Sequence, residues 1–486
     1  MARKAAVVGG GVIGGGWAAR FLIMGWDVHV FDPDPEAARK IGEVLANARR
    51  SLPGLFDAVL PPEGSLSLHK TLAGAVAGVE WVVEAVPERL DLKHRVYRDI
   101  QGVNPDAIIG SSTSGFKPSE LQEGAVAPGM ILVAHPFNPV YLLPLAELVP
   151  SPANPADVVS HAKDVLTAIG MHPLHIRAEI DAHIGDRFLE AVWREALWLV
   201  RDGIATTEEI DNVIRYGFGI RWAQMGLFEN YRIAGGEAGM RHFIAQFGPC
   251  LKWPWTRLMD VPDLTDELIE AVASQSDAQS GMHSIRELER IRDGNLVAMM
   301  RALKGNGGAQ TPGWGAGALI RQHDARLRGV APDMTRPFVT LDRAVPLDWT
   351  DYNGHMNEAR YLQAFGDATD RFMELIGIDA DYVAGGRSIF TVETHIRHLG
   401  EVNAGARITV TTRVLAGAGK KFHLWHEMRV GGVLAATGEH LLLHVDLATR
   451  KTSVPAPHVA ERPAAVAAAH AGDWPEGAAR AVGQAR

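Results

Sequence analysis

Short apolar runs alternate with helical stretches through the first third of the chain. The runs are Ala5–Val8, Val28–Phe31, Trp81–Val86, Ala107–Gly110, Met130–Ala134 and Leu145–Val149. They are brief, rich in β-branched residues and apolar on both faces, which reads as buried parallel strands. Strands that alternate with helices imply a doubly wound α/β sheet. From about Asp181 the period changes. Phe188, Leu189, Val192, Trp193, Ala196, Leu197 and Val200 fall on one broad helical stripe. Thr206–Glu209, ahead of Ile210, reads as a helix start with Thr206 or Thr207 as cap. Helical patterning, broken by Pro249, Pro254 and Pro262, continues to about Arg321. Residues 181–321 therefore read as an all-α domain.

A glycine-rich stretch, 305–317, and a charged one, 321–335 with Pro332, mark a second boundary. Beyond it Met356–Ile376 is an amphipathic helix, with Leu362, Phe365, Phe372 and Leu375 among its apolar positions. Ser388–His398, Ala406–Leu415, Phe422–Val430 and Val433–Val445 then alternate as half-buried antiparallel strands do. One long helix followed by a meander predicts an α+β domain in which a curved sheet wraps a helix. Residues 462–486 are Ala-rich with scattered Pro and Gly and read as a loose tail. No internal repeat is visible.

Composition narrows the function classes. A chain of 486 residues predicts roughly three domains. With 47% hydrophobic and 22% charged residues it is ordinary globular material, which excludes general disorder and a rod. The net charge of −9 and the lack of a long basic run argue against nucleic-acid binding. Cys250 stands alone, so no internal disulfide forms, which fits a reducing compartment. Arg3 and Lys4 precede an apolar run too short for a signal peptide. No apolar stretch approaches the roughly 18 residues of a membrane span. The expectation is a cytoplasmic protein.

Gly9, Gly11 and Gly14 form G-x-G-x-x-G directly after the first strand and open a helix. The first glycine permits the turn, the second lets a pyrophosphate approach, and the third lets helix and strand pack closely. Free N–H groups at the helix start then face the phosphates. Asp32 follows the next strand, 18 residues after Gly14, placed to accept a ribose hydroxyl and to repel a 2′-phosphate. NAD is therefore favoured over NADP.

Two strand-end segments carry candidate chemistry: Ser111-Ser112-Thr113-Ser114, and His135-Pro136-Phe137-Asn138-Pro139 followed by Glu147. Ligands bind at strand C-terminal ends in such sheets. A histidine there serves as general base on a secondary alcohol, and a carboxylate on its other nitrogen orients it. A packed strand-end histidine beside a solvated acid is the bland alternative.

With Glu84-Ala85-Val86-Pro87-Glu88, these segments resemble the 3-hydroxyacyl-CoA dehydrogenase superfamily over roughly residues 5–320. The resemblance implies that His135 and Glu147 form a catalytic dyad and that Ser114 contacts the reacting oxygen. It implies that Glu88 and Lys93 lie near the nicotinamide. The family usually has Asn where this chain has Asp186, in His183-Ile184-Gly185-Asp186-Arg187. The lysine-rich excursion that reaches CoA phosphates is also missing, for 51–78 offers only His69 and Lys70 as basic candidates. Both departures point to a changed substrate.

Residues 216–255 are rich in aromatics, including Tyr216, Phe218, Trp222, Phe228, Tyr231, Phe243, Phe247, Trp253 and Trp255. Aromatic faces attract quaternary ammonium ions, although in a helical domain they more often form core. The runs Tyr231–Phe243 and Leu251–Trp255 resemble the L-carnitine dehydrogenase subfamily. That resemblance implies oxidation of a 3-hydroxy acid bearing a trimethylammonium group, with Asp186, Trp222, Phe228 and Tyr231 as substrate-site candidates.

Asp348-Trp349-Thr350-Asp351-Tyr352-Asn353-Gly354-His355-Met356-Asn357 opens the long C-terminal helix. It resembles the hot-dog thioesterases of the 4-hydroxybenzoyl-CoA type over about 335–450. The resemblance implies that Asp351 is general base or nucleophile. Backbone N–H groups around Gly354–Met356 would polarise the thioester carbonyl. His355 and Asn357 would shape the site. The joined halves resemble bifunctional carnitine-degradation proteins, which implies short acyl-CoA substrates, no metal, and a homo-oligomer. The organisation expected is a Rossmann domain over 1–180, a helical substrate and dimerisation domain over 181–321, a linker over 322–335, a hot-dog domain over 336–461 and a tail over 462–486. A 3-hydroxyacyl-CoA or sugar-acid dehydrogenase with a non-catalytic hot-dog module is the alternative.

Overall fold

The computed structural model describes residues 3–483 apart from 57, 235–238, 258–262, 264, 281, 306–314, 330 and 473. The chain forms two compact units. One takes in residues 1–45, 63–295 and 314–319; the other takes in 46–62, 296–313 and 320–486.

The first unit is built on a sheet of eight strands. These are β1 (Lys4–Val8), β2 (Asp27–Phe31), β3 (Leu66–Leu68), β4 (Trp81–Glu84), β5 (Ile108–Ser111), β6 (Ile131–Pro136), β7 (Leu145–Val149) and β8 (His172–His175), in the order β3-β2-β1-β4-β5-β6-β7-β8. Ala5, Ala6 and Val7 are wholly buried, as expected of a central strand covered on both faces. The expectation of parallel strands fails at β7, which runs antiparallel to β6. The connection 137–144 is too short for a crossover, which needs about a dozen residues. That reversal sets His135 directly opposite Glu147. Strands β3 and β8 went unread because they are short, partly exposed edges with no apolar run.

The helical part of this unit begins with Gly185–Arg201 and Thr207–Val213. Of the two candidate caps, Thr206 is the one used for the second helix, and Glu209 reciprocates by accepting from the Thr206 amide. Of the apolar stripe on Gly185–Arg201 only Leu197 is buried, while Phe188, Leu189, Val192 and Trp193 are exposed.

The second unit carries an antiparallel sheet of β9 (Phe338–Ala344), β10 (Arg387–His398), β11 (Arg407–Ala418), β12 (Lys421–Val430) and β13 (Val433–Asp446), ordered β10-β13-β12-β11-β9, with β14 (Lys451–Thr452) beside β13. Helix Glu358–Leu375 buries Tyr361, Ala364, Phe365, Ala368 and Phe372, one face at helical spacing. Gly438 lets that helix approach the sheet, because a Cβ there would meet the Phe365 ring at 2.8 Å. The loose-tail reading of 462–486 differs from what is seen. Residues up to Ala469 continue a helix, Pro457–Ala469, which buries Val459, Pro463 and Val466. Further along, Ala478 packs with Leu415 and Trp425 of the sheet. Two valines and a proline at helical spacing give an otherwise bland segment one apolar face.

Candidate active sites

The turn after β1 fits a dinucleotide. Gly9 has φ +99°, and a Cβ on it would meet the Ala85 carbonyl oxygen at 2.5 Å. A Cβ on Gly14 would overlap the Gly9 carbonyl. Around Gly11 the space is open, and no side chain caps helix Val12–Ile23. The first-turn amides are thus left for phosphate oxygens. Asp32 Oδ2 accepts from the Gly10 amide at 2.5 Å and Oδ1 from the Asp34 amide at 2.7 Å. Each oxygen keeps a lone pair for a ribose hydroxyl.

At the ends of β4 and β5 the buried acid is Glu84, which no sequence pattern marks as a site residue. Its Oε1 accepts from Lys93 Nζ at 2.8 Å and from the Val86 amide at 2.9 Å. Its Oε2 accepts from the Tyr97 and Ser111 hydroxyls, both at 2.6 Å. Burial and the adjacent carboxylate push the Tyr97 phenol well above its ordinary range. Lys93 also reaches Glu88 at 3.2 Å. Glu88 accepts from the Thr113 hydroxyl and from the Gly115 amide. Burial works to raise the Glu88 carboxyl, but these donors and Lys93 outweigh it and hold it below the usual carboxylate range. Lys93 and Glu88 are therefore tied into the strand-end scaffold. An acid buried at a strand end leaves no periodicity signal, so Glu84 was not separable from its neighbours by pattern.

His135 sits at the end of β6, 4% exposed. Its Nδ1 lies 2.9 Å from Glu147 Oε2, and its Nε2 lies 3.3 Å from Ser114 Oγ and 3.7 Å from Asp186 Oδ2. Glu147 Oε1 accepts from the amides of Ile184 and Gly185 at 3.0 and 2.9 Å. One carboxylate thus orients the imidazole and caps the helix that carries Asp186. Burial works to raise the Glu147 carboxyl, yet His135 and the two amides hold it low. The rings packed on His135 are Phe137 and His183, at 5.1 and 5.6 Å. No sequence pattern marks His183 either. It is wholly buried, has φ +50°, and is pushed toward the neutral form by desolvation.

The structure brings His135, Glu147, Ser114 and Asp186 together. It does not set Trp222, Phe228 or Tyr231 against the His135 ring. These lie on helix Gly219–Ala234 and are 38%, 71% and 36% exposed. Trp222 packs on Phe218, and Tyr231 stacks on Phe243.

In the second unit Asp351 begins a tight turn. Its Oδ1 accepts from the Asn353 amide at 2.8 Å, and its carbonyl accepts from the Gly354 amide at 3.0 Å. Gly354 has φ +79°, which explains a glycine there. The Met356 amide donates to the Val402 carbonyl at 2.7 Å. Of the amides around Gly354–Met356 expected to polarise a thioester, those of Gly354 and Met356 are thus committed to closing the turn and stapling it to the neighbouring loop. His355 Nε2 lies 3.4 Å from the exposed Glu401. Asn357 is the N-cap of helix Glu358–Leu375, accepting from the Ala359 amide at 3.0 Å. Its side chain is therefore a structural cap. Among the described residues no group of three or more His, Cys, Asp or Glu is arranged to hold a metal.

Residues 4–180 match the 3-hydroxyacyl-CoA dehydrogenase NAD binding domain, 183–272 match the C-terminal domain of the same family, and 345–467 match the thioesterase-like superfamily. A Ruegeria pomeroyi protein named L-carnitine dehydrogenase/betainyl-CoA thioesterase is 67% identical, covering 98% of this chain and 99% of its own. The chain belongs to the L-carnitine dehydrogenase/betainyl-CoA thioesterase family. An L-carnitine dehydrogenase of Pseudomonas putida is 50% identical over 62% of this chain and 93% of its own. It therefore corresponds to part of what family members such as this chain contain. A solved structure of an NAD⁺-dependent 5-formyl-3-hydroxy-2-methylpyridine 4-carboxylic acid 5-dehydrogenase matches with TM-score 0.54 at 28% identity, over 63% of this chain and 99% of that one. The family match and the open turn after β1 agree on NAD as cofactor.

Proposed function

We propose that this bifunctional enzyme oxidises L-carnitine to 3-dehydrocarnitine with NAD and hydrolyses betainyl-CoA to glycine betaine and CoA. The observation that carries the reading is the match to the Ruegeria pomeroyi protein across both activities' domains, at 67% identity over nearly all of each chain. In this reading residues 1–180 hold NAD, 181–321 complete the substrate site, 322–335 link, and 336–461 form the thioesterase.

Gly9, Gly11 and Gly14 hold the pyrophosphate and Asp32 the ribose. When bound, NAD supplies the acceptor for the hydride that leaves the carbinol carbon. His135 Nε2 takes the hydroxyl proton, and Glu147 stabilises the resulting imidazolium through Nδ1–H. Ser114 Oγ, on the same side of the ring, hydrogen-bonds the substrate oxygen. In the other unit the free Oδ2 of Asp351 either attacks the thioester carbonyl or activates water for that attack. Cleavage of the C–S bond then releases CoA, whose sulfur takes up a proton; in the nucleophilic route water hydrolyses the mixed anhydride left on Asp351, freeing glycine betaine and restoring the carboxylate. His355 borders that site.

The substrates are small molecules. No helix among the described residues is long and apolar enough to cross a membrane. We place the enzyme in the cytoplasm, acting as a homo-oligomer, because the exposed Phe188, Val192 and Trp193 offer an apolar face for a second copy. The test is a pair of assays on the full chain: NADH formation from L-carnitine and thiol release from betainyl-CoA. Both signals are expected. Thiol release from no short acyl-CoA would refute the second activity, and NADH formation from 3-hydroxybutyryl-CoA or gulonate but not carnitine would refute the first.

A further inference from the structure

The carboxylate of Asp186 has no evident role in the proton transfer above. It lies in the first turn of helix Gly185–Arg201, its side chain 20% exposed, with Oδ2 3.7 Å from His135 Nε2. Glu147 already serves Nδ1, so the imidazole has a carboxylate at each nitrogen. In the state that accepts a substrate proton, Nε2 bears a lone pair. A carboxylate facing a lone pair gains nothing from it.

Among the described residues, no lysine or arginine lies within ion-pair distance of Asp186. The adjacent Arg187 turns its Nε to the Asp181 carbonyl at 3.1 Å, and Lys117 pairs with the Asp181 carboxylate at 2.9 Å. The Glu147 charge is committed to Nδ1–H and to two helix amides. Beside the proton-accepting nitrogen the site therefore presents one half-buried carboxylate, favoured by the helix N-terminus but with no cationic side chain against it. A substrate closing over this carboxylate displaces its remaining water, which favours a substrate that brings a cation of its own.

We propose that Asp186 is a specificity-determining residue that engages the cationic end of the substrate. The proposal rests on the carnitine reading and extends it. A hydroxyl poised for general-base catalysis lies about 3 Å from His135 Nε2. In a 3-hydroxy-4-ammonio acid the quaternary nitrogen is about 3–4 Å from that hydroxyl oxygen by ordinary bond lengths. Asp186 is thus within reach of the trimethylammonium group. The contact needs no directional hydrogen bond, which suits a cation without N–H donors. It also has a kinetic consequence. Hydride departure leaves the carbinol carbon electron-poor, and a neighbouring ammonium opposes that change. A fixed carboxylate beside the ammonium weakens the opposition. Asp186 forms no bond and moves no proton in this scheme.

The experiment compares L-carnitine with its carbon isostere, in which a quaternary carbon replaces the ammonium nitrogen, on the wild type, Asp186→Asn and Asp186→Glu. The wild type should prefer carnitine in kcat/KM. In Asp186→Asn that preference should fall by on the order of tenfold or more, the scale of one partly screened charge contact. The isostere should lose much less kcat/KM than carnitine does. Asp186→Glu, which keeps the charge, should restore part of the preference. NAD affinity, read by fluorescence titration, should stay constant and reports folding. Equal losses for both substrates in Asp186→Asn would overturn the proposal and leave the carnitine reading standing. A wild type that does not oxidise carnitine would overturn both.

Discussion

Replacing Glu147 by glutamine removes one charge and almost no volume, yet it should disable the dehydrogenase. The residue is 1% exposed and accepts three hydrogen bonds: from His135 Nδ1 at 2.9 Å and from the amides of Ile184 and Gly185 at 3.0 and 2.9 Å. A glutamine has one acceptor and one donor end. If its oxygen stays on the two amides, its NH₂ faces Nδ1. The imidazole must then carry its proton on Nε2 and cannot act as base there. If the oxygen turns to Nδ1, the NH₂ meets two N–H donors and two part-buried amides lose their acceptor. The first arrangement gives the wrong tautomer, and the loss in kcat should be about 10²–10⁴-fold. The second costs about 1–3 kcal/mol of stability. Glu147→Ala leaves room for water to accept from Nδ1, so it should be the faster of the two. The assay is steady-state NADH formation from L-carnitine for both variants, with thermal unfolding alongside. A Glu147→Gln enzyme within about threefold of wild-type kcat, or one faster than Glu147→Ala, would refute the tautomer argument.

Other consequences can be checked separately. Gly14→Ala places a Cβ on the Gly9 carbonyl, so NAD binding measured by fluorescence titration should be lost or weakened by well over tenfold. Asp32→Ala should erode the preference for NAD over NADP in kcat/KM and also lower stability by about 1 kcal/mol, because the Gly10 and Asp34 amides lose their acceptor. Asp351→Asn should cut thiol release from betainyl-CoA by on the order of 10³-fold while NADH formation from carnitine is unchanged; loss of both in a folded variant would show that the sites are coupled. Glu147 is held below the ordinary carboxylate pKa in the folded state, so its stabilisation is present above about pH 4.3 and is lost as pH falls through the lower folded value. Urea unfolding against pH should therefore show a shallower acid limb in Glu147→Gln than in wild type.

What the sequence disclosed about this site depended on how each residue is used. Gly9, Gly11, Gly14 and Asp32 act through backbone shape and a fixed place after a strand, and both leave a linear signature. The strands of the first sheet were legible where they are buried on both faces, as at Ala5–Val8, and invisible where they are polar edges, as at Leu66–Leu68 and His172–His175. The antiparallel turn of β7 was missed although connection length contained it, since 137–144 cannot hold a crossover. In the hot-dog unit the Asp351 turn was recognisable, but the partners of the Gly354 and Met356 amides were not. Those partners include Val402, a residue distant in sequence whose carbonyl no local pattern announces.

The same distinction explains Glu147. Twelve positions from His135, it could be named as a partner, and spacing alone went no further. Its grip on the amides of Ile184 and Gly185 depends on where a helix more than thirty residues later begins. That grip joins β7, the strand paired with the one carrying the base, to the helix carrying Asp186. A change at Glu147 therefore reaches the Asp186 carboxylate as well as the imidazole, although neither residue is altered. Geometry at the reacting centre is held by a side chain that need not touch the substrate. For that reason the acid is better understood from its three hydrogen bonds than from its distance to the base.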